Sequence, residues 1–254
     1  MKIEKEQVCV LIPTLNEAPT IGDLIRDFSG RGFSSILVID GHSTDDTRKI
    51  AGDAGAKVVL QSQKGKGSAM VEAFGMIDDE YILLIDGDGT YSPADADKLL
   101  AKLGEGFDHV IGDRLTEANR KAFSRLNFFG NQVLNRLFKL AHGQYLGDIL
   151  SGYRAFSRRS VSEMNLKEGG FGIETEISAE SVRKGQNIGT VEISYLERAG
   201  TPTKLNPFHD GIKILATIYR LAKISNPLFY FGLIGVIVVL AGIATGIYVL
   251  IEWF

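Results

Sequence analysis

Tyr81-Ile82-Leu83-Leu84-Ile85-Asp86-Gly87-Asp88-Gly89-Thr90-Tyr91 opens on an unbroken apolar run and closes on two carboxylates one glycine apart. The run is too short for a free-standing helix, and a short apolar run bounded by glycine reads as a strand buried on both faces of a parallel sheet. In open α/β sheets ligands bind beyond the carboxyl ends of the strands, where Asp86 and Asp88 fall. If the strand continued that far, its period of two would point both carboxylates the same way. Gly87 and Gly89 let the backbone bend and approach a ligand closely. Neighbouring carboxylates repel unless a cation lies between them, and hard oxygen donors suit Mg²⁺ or Mn²⁺ with substrate phosphates. Asp-Gly-Asp-Gly is also ordinary turn composition, so its meaning depends on its surroundings.

Working outward, Val8 to Pro13 reads as a first strand, with Thr14-Leu15-Asn16-Glu17 as the loop at its carboxyl end. Ile21, Leu24, Ile25 and Phe28 then recur at helical spacing. Ser35 to Asp40 is a second strand ending in a carboxylate, and the following helix is expected to be capped by Ser43 or Thr44. Lys57 to Leu60 is a short third strand, and the basic glycine-rich loop Lys64-Gly65-Lys66-Gly67 opens a helix. A helix from about Pro93 to Leu103 and a strand from His109 to Gly112 follow the central strand. Val191 to Tyr195 alternates like a further strand. This alternation predicts an open α/β sheet with right-handed crossovers. Acidic strand ends beside a basic loop suit a nucleotide diphosphate with a divalent metal. His42 has no second histidine nearby and reads as a turn residue.

Residues 120–142 combine Phe123, Leu126, Phe129, Val133, Leu137 and Phe138 with five basic residues and no acidic one. That pattern fits a helix on a membrane surface or one packed on the sheet with a solvated basic face. Residues 207–224 look similar, with Ile212, Leu215, Ile218 and Leu221 beside Lys213, Arg220 and Lys223. From Leu228 to Ile251 there are 24 residues without a charge, against the roughly 20 needed to span a bilayer core. The cations Arg198, Lys204, Lys213, Arg220 and Lys223 precede the span and only Glu252, Trp253 and Phe254 follow it. The positive-inside bias then places the main domain in the cytoplasm, on a single-pass C-terminal anchor. Expected boundaries are a catalytic domain over 1–206, a juxtamembrane amphipathic helix over 207–226 and a transmembrane helix over 227–252. A net charge of −3 argues against a nucleic-acid partner. The lone cysteine, Cys9, rules out a disulfide within the chain.

Together these motifs resemble the family-2 glycosyltransferases of GT-A fold, and more narrowly the dolichyl-phosphate mannose, glucose and N-acetylglucosamine synthases. The resemblance implies a GT-A (Rossmann-like), open, mostly parallel sheet flanked by helices, with amphipathic interface helices and one C-terminal transmembrane helix. It implies nucleotide-sugar contacts at Pro13, Leu15, Asn16, Glu17, Asp40, Lys64, Gly65, Gly67, Asp86, Gly87 and Asp88, with Asp86 and Asp88 as ligands of Mg²⁺ or Mn²⁺. It implies an acceptor-phosphate set of Ser124, Arg125, Ser151, Arg154, Arg198 and Lys204, and catalytic roles for Asp88, Arg198 and Lys204. Asp148, from the loop ending Ser151-Gly152-Tyr153-Arg154, and Glu176 and Gly200 match further motifs.

The chain departs from the pattern in places. Asp40-Gly41 stands where the family often has two aspartates, and the Arg198-to-Lys204 motif is one residue longer than usual. Thr90-Tyr91 replaces the Gln-His of the mannosyl branch, which favours a UDP-sugar, glucose or N-acetylglucosamine, over GDP-mannose. The only tryptophan is Trp253, so the Gln-x-x-Arg-Trp motif of polymerising members is absent. The implied reaction is inverting transfer of one sugar to a membrane dolichyl or polyprenyl phosphate for protein glycosylation. A nucleotidyltransferase would share sheet, metal and nucleotide but not the anchor. A membrane-tethered nucleotide-sugar binder without turnover would share everything but the chemistry.

Overall fold

The computed structural model of the protein describes residues 1–198 and 207–254. The chain runs β1 (Val8–Thr14), α1 (Ala18–Gly30), β2 (Ser35–Asp40), α2 (Thr47–Asp53), β3 (Lys57–Leu60), α3 (Lys66–Phe74), β4 (Tyr81–Leu84), α4 (Ala96–Gly104) and β5 (His109–Asp113). It continues α5 (Arg125–His142), β6 (Arg154–Ser157), α6 (Arg158–Ser162), α7 (Ile173–Arg183), β7 (Ile188–Glu192), α8 (Pro207–Ser225) and α9 (Pro227–Trp253). The seven strands form one sheet in the order β3-β2-β1-β4-β6-β5-β7.

The central strands β1, β2 and β4 are mostly apolar because both sheet faces are covered there. Val8, Val10 and Ile12 of β1, with Leu83 of β4, share a core with the apolar stripes of α1 and α4. Cys9 and Leu11, with Ile82 and Leu84, share the opposite core with α3 and α7. A third core joins α5, α7 and α8 through Phe138, Ala141, Ala179, Ile214 and Ile218. Pro13 is tolerated in β1 because pairing with β4 covers only Val8 to Leu11, so its missing N–H lies beyond that ladder.

Four elements differ from expectation. β6 was not legible: it is short and headed by Arg154, and only antiparallel pairing to β4 and β5 on either side makes it a strand. It interrupts the parallel order expected of successive crossovers. α2 begins at Thr47 rather than after Ser43 or Thr44, because the Ser43 amide and hydroxyl turn back onto Asp40. β7 is set by β5, which pairs with Ile188 to Glu192; Tyr195 keeps only an isolated bridge to Tyr91. In the basic segment the α-helix starts at Arg125, after a 3₁₀ turn over Glu117–Ala122. α5 buries Phe128 and Phe138 but leaves Leu126 and Phe129 72% and 62% exposed.

Asn226 separates α8 from α9 and caps the latter, accepting a hydrogen bond from the Phe229 amide. α9 has 27 residues, none buried, and at 1.5 Å per residue it is about 40 Å long. Among the described residues it is the one helix long and apolar enough to cross a membrane.

Candidate active site

The loops after β1, β2 and β4 meet at the carboxyl edge of the sheet. Asp40, the last residue of β2, is fully buried. Its carboxylate accepts from the Ser43 amide at 2.8 Å, the Ser43 hydroxyl at 2.5 Å and the Thr14 hydroxyl at 3.3 Å. The Asn16 amide donates to Ser43 Oγ, and Asn16 Oδ1 accepts from the Thr44 amide. This knits the first two loops together and holds Asn16 at φ 51° and His42 at φ 66°. Such values are costly for residues with a Cβ and cluster at functional sites. Leu15 and Pro13 flank this junction, with Leu15 half-exposed and Pro13 partly buried.

β4 stops at Leu84, so the two carboxylates beyond it do not follow the period of a strand and are directed to different partners. Asp86 Oδ1 lies 2.6 Å from Lys66 Nζ, which is also 2.6 Å from Glu174 Oε1 on α7. Asp88 Oδ2 lies 3.1 Å from Arg198 Nη1, whose Nη2 reaches Glu17 Oε1 at 2.6 Å. Asp88 Oδ1 accepts from both the amide and the hydroxyl of Thr90. Burial opposes the charge on Lys66, but Asp86 and Glu174 outweigh it and hold the ammonium above its ordinary pKa. Among the described residues this cluster holds four anionic and two cationic groups, a formal excess of two negative charges.

That excess, with oxygen-only donors, suits a divalent hard cation. Among the described residues no three His, Cys, Asp or Glu side chains are grouped to enclose a metal, so Asp86 and Asp88 would need oxygens from a ligand to complete a shell. The space is kept open by glycine. A Cβ on Gly152 would overlap the Asp86 carboxylate, and one on Gly87 would come within 2.8 Å of Thr14 Cγ2.

Lys66 is the residue that the reading of the basic loop missed. Lys64 is exposed and makes no ion pair among the described residues, whereas Lys66 enters the cluster. Gly65 (φ 109°) and Gly67 have a structural reason here: side chains on them would strike the carbonyls of Gly169 and Glu168. Gly169 O accepts from the Gly67 and Ser68 amides, so the start of α3 is already satisfied by protein.

Two of the acceptor-side expectations, Ser151 and Arg154, need correction. Arg154 is fully buried and its guanidinium is spent on Ser151 O at 2.8 Å, Ile149 O at 2.6 Å and Ser178 Oγ at 2.9 Å. Burial lowers its pKa to about 10, and the same environment keeps the neighbouring His109 neutral. Ser151 is buried as well, and its hydroxyl accepts from the Tyr153 amide. Neither reaches a site surface; together they shape the loop that delivers Gly152 to Asp86. Glu176 is also taken: its Oε2 accepts from the amides of Lys167 and Glu168. Residues two apart on a helix lie about 200° apart, so Glu174 faces Lys66 while Glu176 cannot.

Asp148 is bound bidentately by Arg114 at 2.6 and 3.0 Å, fully buried. The Arg114 guanidinium lies 5.1 Å from the Tyr195 ring centre and 5.7 Å from that of Phe123. Arg114 stands directly after β5, where its position at a strand end was the available signal. Ser124 caps α5 by accepting from the Asn127 amide, and Arg125 is exposed on the first turn. Gly200 and Lys204 lie outside the described residues.

The sequence family described as Glycosyl transferase family 2 matches residues 9–164. The chain is similar to glycosyltransferase AglJ of Haloferax volcanii, with 50% identity over 250 residues that cover 98% of this chain and 82% of that one. It is similar to a dolichyl-phosphate hexose transferase of the same organism, with 33% identity over 85% of this chain and 93% of that one. Among solved structures it matches glucosyl-3-phosphoglycerate synthase of Mycobacterium tuberculosis in complex with Mn²⁺ and UDP-glucose, at a TM-score of 0.70 and 24% identity over 85% of this chain and 79% of that one. The last likeness is one of fold.

Proposed function

The chain belongs to glycosyl transferase family 2, and from that premise we propose that it transfers one sugar from UDP-glucose or UDP-N-acetylglucosamine to a dolichyl or other polyprenyl phosphate. The observation that carries the reading is the cluster of Glu17, Asp86, Asp88 and Glu174 with Lys66 and Arg198, at the sheet edge of a chain that carries one long apolar helix among its described residues. The similarity to a dolichyl-phosphate hexose transferase supports the acceptor class.

Asp86 and Asp88 would hold Mg²⁺ or Mn²⁺, which supplies Lewis-acid stabilisation of the departing nucleoside diphosphate. The remaining work falls to the chain. The loops tied together by Asp40, Ser43 and Asn16 seat the nucleoside. Lys66 and Arg198 stand one on each carboxylate, where they can offset diphosphate charge. An oxygen of the acceptor phosphate attacks the anomeric carbon as its bond to the diphosphate breaks, inverting configuration. That oxygen is already anionic, so no strong general base is required. The protein's task is to align two anions in line and relieve their repulsion. Arg125 and Arg198, with Lys204 beyond the described residues, are the cations assigned to the acceptor.

The exposed apolar residues Leu126 and Phe129 of α5 and Ile212 and Leu215 of α8 give the domain a face suited to the bilayer interface. α9 then anchors it, with the domain over 1–206 and the helix over 207–226 on the cytoplasmic side. The test is sugar transfer to dolichyl phosphate in detergent, with UDP-glucose, UDP-N-acetylglucosamine and GDP-mannose supplied separately, with Mg²⁺ or EDTA. One UDP-sugar should give a metal-dependent glycolipid that Asp88→Ala abolishes. Transfer from GDP-mannose alone would overturn the donor, and nucleotide binding without any transfer would favour a binding protein.

A further inference from the structure

Asp86 is reached from outside its own loop by one cation, which a second carboxylate holds from behind. Lys66 Nζ is 2.6 Å from Asp86 Oδ1 and 2.6 Å from Glu174 Oε1, an ammonium shared between two carboxylates. Its backbone has little freedom: Gly65 and Gly67 on either side abut the carbonyls of Gly169 and Glu168, and Gly169 O is bonded to the Gly67 amide at 3.1 Å. Its side chain is different, with four rotatable carbons ending in a point charge that can change partners. Glu174 is buried on α7 and stays where the helix puts it.

A divalent cation on Asp86 would lie against an ammonium already seated on the same carboxylate. Two cations on one carboxylate repel strongly in a partly buried site. The ammonium must therefore leave Asp86 as the metal arrives. Without a second partner it would go to water. With Glu174 behind it, Lys66 keeps one strong charge-assisted bond and remains within the site. The anion nearest to it is then the diphosphate that comes with the metal.

We propose that Lys66 is an exchangeable counter-ion, neutralising Asp86 before loading and passing to the donor diphosphate as the metal takes its place, with Glu174 the positioning residue that keeps it in the site through the exchange. Metal and nucleotide then load together, because metal alone must displace Lys66 without giving it a new partner. The inference rests on the reading of Asp86 and Asp88 as metal ligands.

Mn²⁺ binding to the full-length protein in detergent, read by electron paramagnetic resonance of the free ion with and without UDP, tests it. In Lys66→Met, Mn²⁺ alone should bind more tightly than in wild type, since its competitor is gone. The same variant should bind Mn²⁺ with UDP about tenfold more weakly, the scale of one lost charge-assisted hydrogen bond. Glu174→Gln should weaken Mn²⁺ binding without UDP, because the ammonium is left to Asp86 alone. Lys66→Arg should keep the wild-type order, and thermal unfolding of each variant separates misfolding from site effects. Weaker Mn²⁺ binding by Lys66→Met in both conditions, with normal unfolding, would overturn the exchange. Wild-type Mn²⁺ binding by Asp86→Ala would instead overturn the metal reading beneath it.

Discussion

Replacing Gly152 with alanine places a methyl group against the reacting centre without disturbing the backbone. Gly152 does not have a positive φ, so alanine meets no conformational penalty there. The added Cβ would lie 2.7 Å from Asp86 Cγ and 2.9 Å from Oδ1, and closer still to Oδ2. Ordinary contact begins at 3.4 Å, so the carboxylate must retreat by about 1 Å, a distance set by Oδ2, the atom nearest the new methyl group. Asp86 is partly exposed and can yield, which limits the loss of stability to about 1 kcal/mol, the low end of overpacking costs. Activity should suffer far more. A misplacement of this size at a reacting group costs about 100-fold, and here it also pulls Asp86 off Lys66. Initial rates of glycolipid formation at saturating donor and acceptor, beside a thermal melt, measure both. Gly30→Ala, which has nothing within 4 Å, serves as the control and should be silent. A Gly152→Ala enzyme with wild-type rates would refute the reasoning, since Asp86 would then not need its present position.

Asp148→Asn should destabilise the fold by about 3–5 kcal/mol in urea titrations, because it leaves the buried Arg114 charge without its partner. Acid should weaken the fold in a defined window. Burial lowers the pKa of His142 to about 4, partly countered by its hydrogen bond to Ile218 O. Unfolded, it binds a proton below about 6.5, so its contribution is intact above that pH and is lost as pH falls toward 4, up to about 3 kcal/mol. Urea titrations at pH 7 and 5 should show the loss, and His142→Phe, which keeps the stack on Phe138, should shrink it. A chain ending at Asn226 should still unfold cooperatively, since no α9 residue is buried, yet be released by alkaline carbonate from membranes that retain the full chain.

The fold was legible where one local signal sufficed. Apolar runs marked β1, β2 and β4, because burial on both faces of a sheet demands apolar residues continuously, and the length of the uncharged run marked α9 as a helix. β6 was hidden because four residues headed by an arginine carry no such signal. The candidate site divides in the same way. Asp86 and Asp88 announced themselves through the glycines around them. Arg154 misled, because an arginine in a motif matched to an acceptor phosphate suggests an anion, whereas its three carbonyl and hydroxyl partners show it bracing a loop. Glu174 and Arg114 went unassigned because their partners lie far away in sequence.

What this chain determined by sequence alone was therefore most of its elements other than β6, its acidic strand ends and its long uncharged apolar run, since each depends on neighbours along the chain. Which charges meet was decided only by tertiary structure. Lys66 rather than Lys64 and Glu174 rather than Glu176 enter the cluster, each two residues from the side chain left out, and Arg114 meets Asp148 from a distant segment. Ion pairs act over a few ångströms, and it is the packing of α3, α7 and β5 around the sheet that brings those side chains within reach.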